Sequence, residues 1–195
     1  MRIVSRLFGC FLLGILVLVS CQTGKPIKRL SDESFMYAMI YDYENSPVSG
    51  VTVSLNGKKI VDSDIQGRFI LEKMEKGDYT ITLAKKGYEV VNEVFRYDPM
   101  QVLYFKMIDT QQLLTLAETA LDNSEYANAE TCLNRALLLE PNRPDILFLK
   151  SITYFLQTKY TEAEDILEDL IKSGSADPAV SQLLEKIKQR QTQEE

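Results

Sequence analysis

The sequence predicts a multidomain β + α chain in which a β-sandwich is followed by a helical solenoid. Between Phe35 and about Met107, apolar and polar residues alternate with a period of two, as in strands that bury one face. From Asp109 onward, apolar residues recur at helical spacing. Similar strings return after 34 residues in this second half, which indicates a repeat of paired helices.

The N-terminus has the features of an export signal. Arg2 and Arg6 precede an apolar run from Leu7 to Val19, and no acidic residue stands before Cys21. The run is 13 residues long, shorter than the about 20 residues that a membrane-spanning helix needs but within the about 7–15 of a signal-peptide core. A buried core helix is the alternative interpretation.

The stretch Leu18-Val19-Ser20-Cys21 resembles the lipobox of bacterial lipoproteins. In that family the chain is cut before the cysteine, which carries diacylglycerol and usually an N-acyl chain. The resemblance implies that residues 1–20 are a removed signal peptide and that residues 21–34 are the lipidated cysteine and its tether. Gln22 implies, by the sorting known for some proteobacterial lipoproteins, the outer membrane rather than the inner one, with the mature domains in the periplasm.

Turn motifs divide residues 35–108 into about seven short strands, a number and spacing typical of a sandwich. Val51, Val53 and Leu55 share one face of a predicted strand, with threonine and serine between them. Asn56-Gly57 then predicts a two-residue hairpin, because both residues tolerate positive φ.

Four motifs in this region occur in the order found in carboxypeptidase regulatory-like domains. They are a turn and strand, an aspartate–glycine–phenylalanine corner, a glycine–tyrosine strand start and a late glycine–tyrosine pair: Pro47–Val53, Asp62–Phe69, Gly77–Ile81 and Gly87-Tyr88. The resemblance implies an Ig/transthyretin-like β-sandwich, an accessory module that does not usually carry chemistry. We expect Asp64 to accept hydrogen bonds from its own turn and Gly67 to hold a positive φ. Phe69 and Tyr79 are expected in the core.

The helical half, residues 109–195, resembles the tetratricopeptide repeat (TPR) family. Tyr126 and Ala129 are matched 34 residues later by Tyr160 and Ala163, and 34 is the length of that repeat. The first unit, residues 110–143, also has the family's residues at Leu116, Ala117, Ala136 and Pro141. Leu113, Leu116, Ala117 and Ala120 form the expected buried stripe of its first helix.

The second unit, residues 144–177, departs from the family at two positions. Lys150 stands where leucine is usual and Leu170 where alanine is usual, and the closing Pro178 comes about three residues late. Residues 179–190 have one apolar face, which predicts a C-terminal capping helix. The resemblance therefore implies a two-repeat TPR α-α superhelix with a cap.

The inner surface of such a superhelix is formed by the first helix of each pair. Carrying the family's positions over gives a partner-binding set of Leu114, Glu118, Leu121, Phe148, Ile152 and Phe155. This groove could receive an amphipathic helix or an extended segment of a protein partner. Alternatively, the apolar residues of the second unit pack on the chain's own sandwich or capping helix. The lysine and asparagine of a carboxylate clamp are absent from these positions.

The charge balance argues against a nucleic-acid partner. Removal of residues 1–20 takes two arginines and no acid from the chain, which leaves 20 basic residues against 28 acidic ones. Nucleic-acid affinity depends on neutralising phosphates. Acidic residues crowd the stretch from Glu162 to Asp169, which could steer a basic partner or simply be a solvated helix face.

Histidine and cysteine usage narrows the chemistry. The chain contains no histidine, which excludes histidine-dependent catalytic triads and the usual zinc sites. Cys10 leaves with the signal and Cys21 would be lipidated, so only Cys132 remains and no internal disulfide can form. Asp62 and Asp64 could be calcium ligands, although a calcium loop needs more oxygen ligands. We predict no enzyme activity, no metal and no cofactor, and expect Cys132 to be buried.

These observations predict a non-catalytic scaffold or adaptor for protein–protein interaction in the bacterial cell envelope. It is attached to the membrane by lipid on Cys21 and binds protein partners through the TPR domain. One alternative is an accessory subunit of an envelope transport or assembly system. The other is a ligand-binding or enzymatic protein with a pocket between the domains.

Overall fold

The computed structural model describes residues 35–98, 101–174 and 176–194. Within these residues, seven strands are followed by five helices, as the change of period predicts. The strands are β1 Phe35–Tyr41, β2 Thr52–Leu55, β3 Lys58–Asp62, β4 Arg68–Glu72, β5 Asp78–Ala84, β6 Val91–Arg96 and β7 Val102–Lys106. The helices are α1 Thr110–Asp122, α2 Tyr126–Leu139, α3 Pro144–Leu156, α4 Tyr160–Lys172 and α5 Pro178–Glu194. The predicted signal peptide, Cys21 and the tether lie outside the described residues.

The strands form two sheets that enclose one core. The three-stranded sheet has the order β4-β1-β7, with β7 parallel to β1, and the four-stranded sheet has the order β3-β2-β5-β6. The alternation expected from the sequence is present: Val51, Val53, Ile81 and Leu83 are fully buried. Phe69 is buried as predicted and stacks on Phe105 with ring centroids 6.2 Å apart.

Two predicted turns hold the sandwich in register. Asn56 and Gly57 both have positive φ, at 48° and 80°, and join β2 to β3 in the expected hairpin. Asp64 accepts hydrogen bonds from the backbone N–H groups of Gln66 and Arg68, at 2.8 and 2.9 Å. Gly67 follows at φ 71°, packed against the Ile40 carbonyl. Tyr79 is half-buried and packs against the core as predicted, while its hydroxyl donates to the Glu75 carbonyl.

The helices repeat their geometry after 34 residues. The turn between α1 and α2 places Ser124 at φ 59°, and the turn between α3 and α4 places Thr158 at φ 60°. The N–H of the next residue bonds the corresponding carbonyl in each case, Glu125 to Ala120 at 2.7 Å and Lys159 to Tyr154 at 2.9 Å. The two helix pairs are therefore equivalent units, as the sequence repeat predicts.

The buried face of α1 differs from the predicted stripe. Leu113, Ala117 and Ala120 are buried, but Leu116 is 45% exposed, and Leu114 is buried in its place. Leu114 packs in a cluster that contains Ile108, from the segment between β7 and α1. Docking of that segment shifts the buried stripe toward Leu114.

Candidate functional site

The first repeat offers part of its predicted groove to a partner. Glu118 is exposed and Leu121 is half-buried. Leu114 is 4% exposed and packs with Ile108 and Ile146, so its side chain has little surface to present. From α1, only the C-terminal half therefore contributes to an accessible inner surface.

The second repeat uses two of its three predicted groove residues internally. Phe148 and Phe155 are half-buried and pack against the cluster built from α4 and α5. The Phe155 ring also lies 5.7 Å from the Tyr160 ring, and Lys186 of α5 lies over it at 5.0 Å. Ile152 is half-buried and belongs to neither helical cluster. Ile152 is therefore the residue of the predicted set on α3 that neither cluster engages.

The family departures of the second repeat have structural partners. Lys150 donates from Nζ to Asn134 Oδ1 at 2.8 Å, so it ties α3 to α2 by a polar contact where leucine would pack. Leu170 is 2% exposed and packs with Val180 and Ile187 of α5. Pro178 is the first residue of α5, a position that requires no backbone N–H donor.

Glu130 forms the polar centre between the two repeats. From α2 it accepts hydrogen bonds from the Tyr154 hydroxyl at 3.3 Å, Gln157 Nε2 at 3.2 Å and Lys159 Nζ at 3.3 Å. Partial burial acts to raise the pKa of Glu130, but the hydrogen bonds and the lysine charge outweigh it, and the pKa lies below its usual value. Burial and the neighbouring Glu130 carboxylate raise the pKa of Tyr154. The ionised carboxylate therefore holds the second helix pair against the first.

Several acids of the crowded stretch on α4 are paired within the protein. Glu164 and Glu168 lie 3.5 and 3.8 Å from Lys188 Nζ of α5, and Asp169 lies 3.3 Å from Lys172. Glu162 and Asp165 are exposed. The acidic stretch thus fastens the capping helix, and only part of its charge is left to face solvent.

The aspartates of the β3–β4 turn are engaged by hydrogen bonds. A hydrogen bond from Lys59 and another from Thr52 lower the pKa of Asp62, and backbone donation from Arg68 and Gln66 lowers that of Asp64. Among the described residues, no group of three metal-ligating side chains is found. These contacts are those of a polar turn. Cys132 is half-buried against the α1–α3 cluster.

The sandwich and the helices are joined by a braced junction. The Glu89 N–H donates to the Ile108 carbonyl at 2.9 Å, and the Thr110 N–H donates to the Gly87 carbonyl at 3.2 Å. Arg135 of α2 forms a bidentate pair with Glu89, at 2.8 Å from Nε and 2.7 Å from Nη2. The orientation of the helices on the sandwich is therefore set by contacts from three separate segments.

An exposed apolar surface on the sandwich was not anticipated from the sequence pattern. It is the outer face of the β4-β1-β7 sheet, called here the apolar face, and consists of Phe35, Tyr37, Met39, Ile70, Val102 and Tyr104. The available signal was strand β1, FMYAMIY, in which both faces are apolar. Such a strand is typical of a sheet that is covered on both sides.

The Tetratricopeptide repeat family matches the chain over residues 120–187. This range contains α2, α3 and α4 entirely and parts of α1 and α5. The match supports a helical, TPR-like part that follows the β domain, and such repeats suggest a role in protein–protein interaction. No curated protein matches the chain in sequence.

Among solved structures the similarities are distant. The Bacillus anthracis TIE protein has a TM-score of 0.34 at 15% identity, over 40% of this chain and 16% of that one. BcpA, the major pilin subunit of Bacillus cereus, has a TM-score of 0.32 at 15% identity, over 40% and 28%. The 3-chlorocatechol 1,2-dioxygenase from Rhodococcus opacus has 0.30 at 12%, over 40% and 60%. The chain thus spans 16 to 60% of these structures.

None of the helices within residues 101–174 and 176–194 combines the length and the apolarity that a bilayer crossing requires.

Proposed function

We propose that this protein is a lipid-anchored, non-catalytic adaptor of the bacterial cell envelope that binds protein partners through its helical repeats. The observation that carries the proposal is the pair of equivalent helical units in a region that matches the Tetratricopeptide repeat family. The lipobox-like stretch ending at Cys21 supports the anchor. No observation on the described residues favours an envelope transport subunit or an enzyme.

The binding surface proposed here is the accessible part of the predicted groove. Glu118 and Leu121 lie on α1 and Ile152 lies on α3, outside the two helical clusters. An acid beside two aliphatic residues suits an amphipathic segment with a basic edge. Phe148 and Phe155 pack against the cluster of α4 and α5, so they stabilise the helix that carries Ile152.

Partner binding is tested by crosslinking in intact cells. Ile152→Glu should abolish the specific crosslinked products, because it places a charge in the accessible apolar part of the groove. Leu138→Glu is the matched control, since Leu138 is 82% exposed on α2 and outside the predicted set. Equal product patterns for Ile152→Glu and the unmodified chain would contradict the proposal, provided that circular dichroism shows both to be folded.

The anchor is tested separately. Labelled palmitate should enter the unmodified protein and not the Cys21→Ser variant, and only the unmodified protein should stay with the membrane fraction. Burial of each additional acyl CH₂ contributes about 0.8 kcal/mol, so two or three chains hold a protein stably. A Cys21→Ser protein that stays fully membrane-bound would contradict lipid anchoring.

A further inference from the structure

The apolar face is a continuous surface. In the strand register, Ile70, Tyr37 and Val102 lie side by side across the sheet. The next row along β1 places Met39 between Tyr104 and the charged Arg68. Tyr37 is 55% exposed and Tyr104 is 66% exposed, and none of the six residues of the face belongs to a core cluster. A cleft of about 650 Å³ opens on this face and is lined partly by Tyr37, Ile70 and Val102.

The outer face of the four-stranded sheet is different in chemistry. Its exposed positions are mainly polar, and they hydrogen-bond one another: Thr52 donates to Asp62 at 2.9 Å, and Thr82 donates to Asn92 at 2.7 Å. Val94 and Ile60 are apolar exceptions in this sheet, at 74% and 46% exposed. A polar outer face is what one sheet of a sandwich in water normally shows. The apolar patch on the other sheet is therefore a candidate binding surface, since the largest apolar patch on a monomer is often functional.

The size of the apolar face argues against a second copy of the chain as its cover. Three strands of five to seven residues span about 14 by 20 Å, or roughly 300 Å² in plan. A stable dimer buries about 800 Å² on each partner. The face is therefore too small to hold a dimer by itself. It is large enough to contact a surface to which the chain is already tethered.

The place where the chain enters the sandwich indicates that the surface next to the apolar face is the lipid bilayer. Strand β1 begins at Phe35, which is itself part of the apolar face. Cys21 precedes it by 14 residues, a length of chain that spans at most about 50 Å in any conformation. If Cys21 carries lipid, as in the proposed function on which this step depends, the apolar face is held close to the bilayer at high effective concentration.

The side chains of the face suit the headgroup region of a bilayer. Tyrosine, present here as Tyr37 and Tyr104, is enriched at membrane–water interfaces, where its ring is buried and its hydroxyl stays in water. Charged side chains border the face: Arg68 pairs with Asp64 at 3.0 Å, Lys106 Nζ donates to the Asp42 carbonyl at 2.8 Å, and Glu72 lies beside Phe35.

We propose that the apolar face of the β4-β1-β7 sheet rests on the lipid bilayer, so that the tethered sandwich docks on the membrane with its polar sheet outward. The helices, which continue from β7 through Met107–Asp109, are then held in one orientation relative to the surface. The braced junction fixes the helices on the sandwich. Docking of the sandwich would therefore also orient the repeats relative to the bilayer.

The absence of tryptophan from the sequence allows a direct test. Full-length Tyr104→Trp protein is purified from membranes and reconstituted into phosphatidylcholine vesicles with brominated acyl chains. The introduced indole should be quenched at least about twofold relative to non-brominated vesicles, since docked side chains lie about 5–10 Å into the headgroup and acyl boundary. Val94→Trp, on the outer face of the other sheet, is the matched control and should show no quenching.

Each other result overturns docking. No quenching at position 104, or equal quenching at positions 104 and 94, would show that the sandwich has no preferred face toward the bilayer. In the absence of vesicles, the indole at position 104 could become more shielded from solvent as the protein concentration rises. That result would show that a second copy of the chain covers the face. Palmitate content is measured in the same preparation: lipidated protein without quenching contradicts only docking, whereas missing palmitate contradicts the anchor.

Discussion

The sandwich and the helical part bury their apolar side chains in different ways. The sandwich has one core, to which strands far apart in sequence contribute, as when Val53 of β2 pairs with Leu83 of β5. The helices have two smaller clusters, one formed by α1–α3 with Ile108 and one by α3–α5. Loss of one contact should therefore spread through the whole sandwich but stay local in the solenoid, as in other repeat proteins.

The comparison is tested most strongly by opening a cavity in the terminal helical cluster. Leu167 is fully buried between α4 and its neighbours, so Leu167→Ala should cost about 2–5 kcal/mol of the unfolding free energy of that cluster. Hydrogen exchange should accelerate in α4 and α5 while the strands keep their protection. Leu138→Ala, at an 82% exposed position, is the control. Acceleration throughout the strands would show that the two regions unfold as one unit.

A glycine substitution with a backbone effect tests the sandwich. Gly67 has φ 71°, and an added Cβ would collide with the Ile40 carbonyl oxygen. Gly67→Ala should therefore destabilise the sandwich by about 3 kcal/mol, measured by urea unfolding. Gly57→Ala has a similar φ of 80° and open space around the position, so it isolates the cost of the positive φ alone. If both variants lose equal stability, the close approach at Gly67 has no energetic effect.

The link between the two regions should have a smaller effect. The Glu89–Arg135 pair is bidentate but partly exposed, so each of Glu89→Gln and Arg135→Ala should cost about 1 kcal/mol. A double-mutant cycle checks the coupling, and the double variant should lose little more than either single one. Fully additive losses would mean that the pair does not couple the sandwich to the repeats.

The smallest expected effect concerns pH and the contact between repeats. The lowered pKa of Glu130 contributes stability at pH values above the unfolded value of about 4.3, and this contribution is lost as the pH falls through the folded pKa. Glu130→Gln should therefore lower stability at pH 7 by under about 1 kcal/mol and flatten its fall toward pH 3. Urea unfolding at both pH values measures this, with exposed Glu185→Gln as the control. An unchanged pH profile in Glu130→Gln would show that another group causes the loss of stability at low pH.

Local patterns predicted the elements because their causes are local. Alternation along Val51–Leu55 and the Asn56-Gly57 hairpin act through neighbouring residues, and the 34-residue spacing of Tyr126 and Tyr160 repeats one such local pattern. The position of Asp64 in its turn follows from the same short-range hydrogen bonding. These features need no knowledge of the rest of the chain.

The groove was predicted less well, because its exposure depends on what packs nearby. Family positions placed Leu114 and Phe148 on an inner surface, but Leu114 is buried with Ile108, and Phe148 packs against the α4–α5 cluster. Lys150 appeared only as a departure from the repeat, whereas its partner Asn134 lies in the preceding helix pair. Such contacts join segments whose spacing varies between proteins.

By itself the sequence determined the order of strands and helices, the turns and the repeat, since periodicity and φ preferences are properties of a few consecutive residues. Only the tertiary structure decided which apolar residues remain on the surface. In β1, Met36, Ala38 and Ile40 alternate with Phe35, Tyr37 and Met39, and both sets are apolar. Pattern alone cannot distinguish them, because the core covers one set only after the second sheet has packed against it.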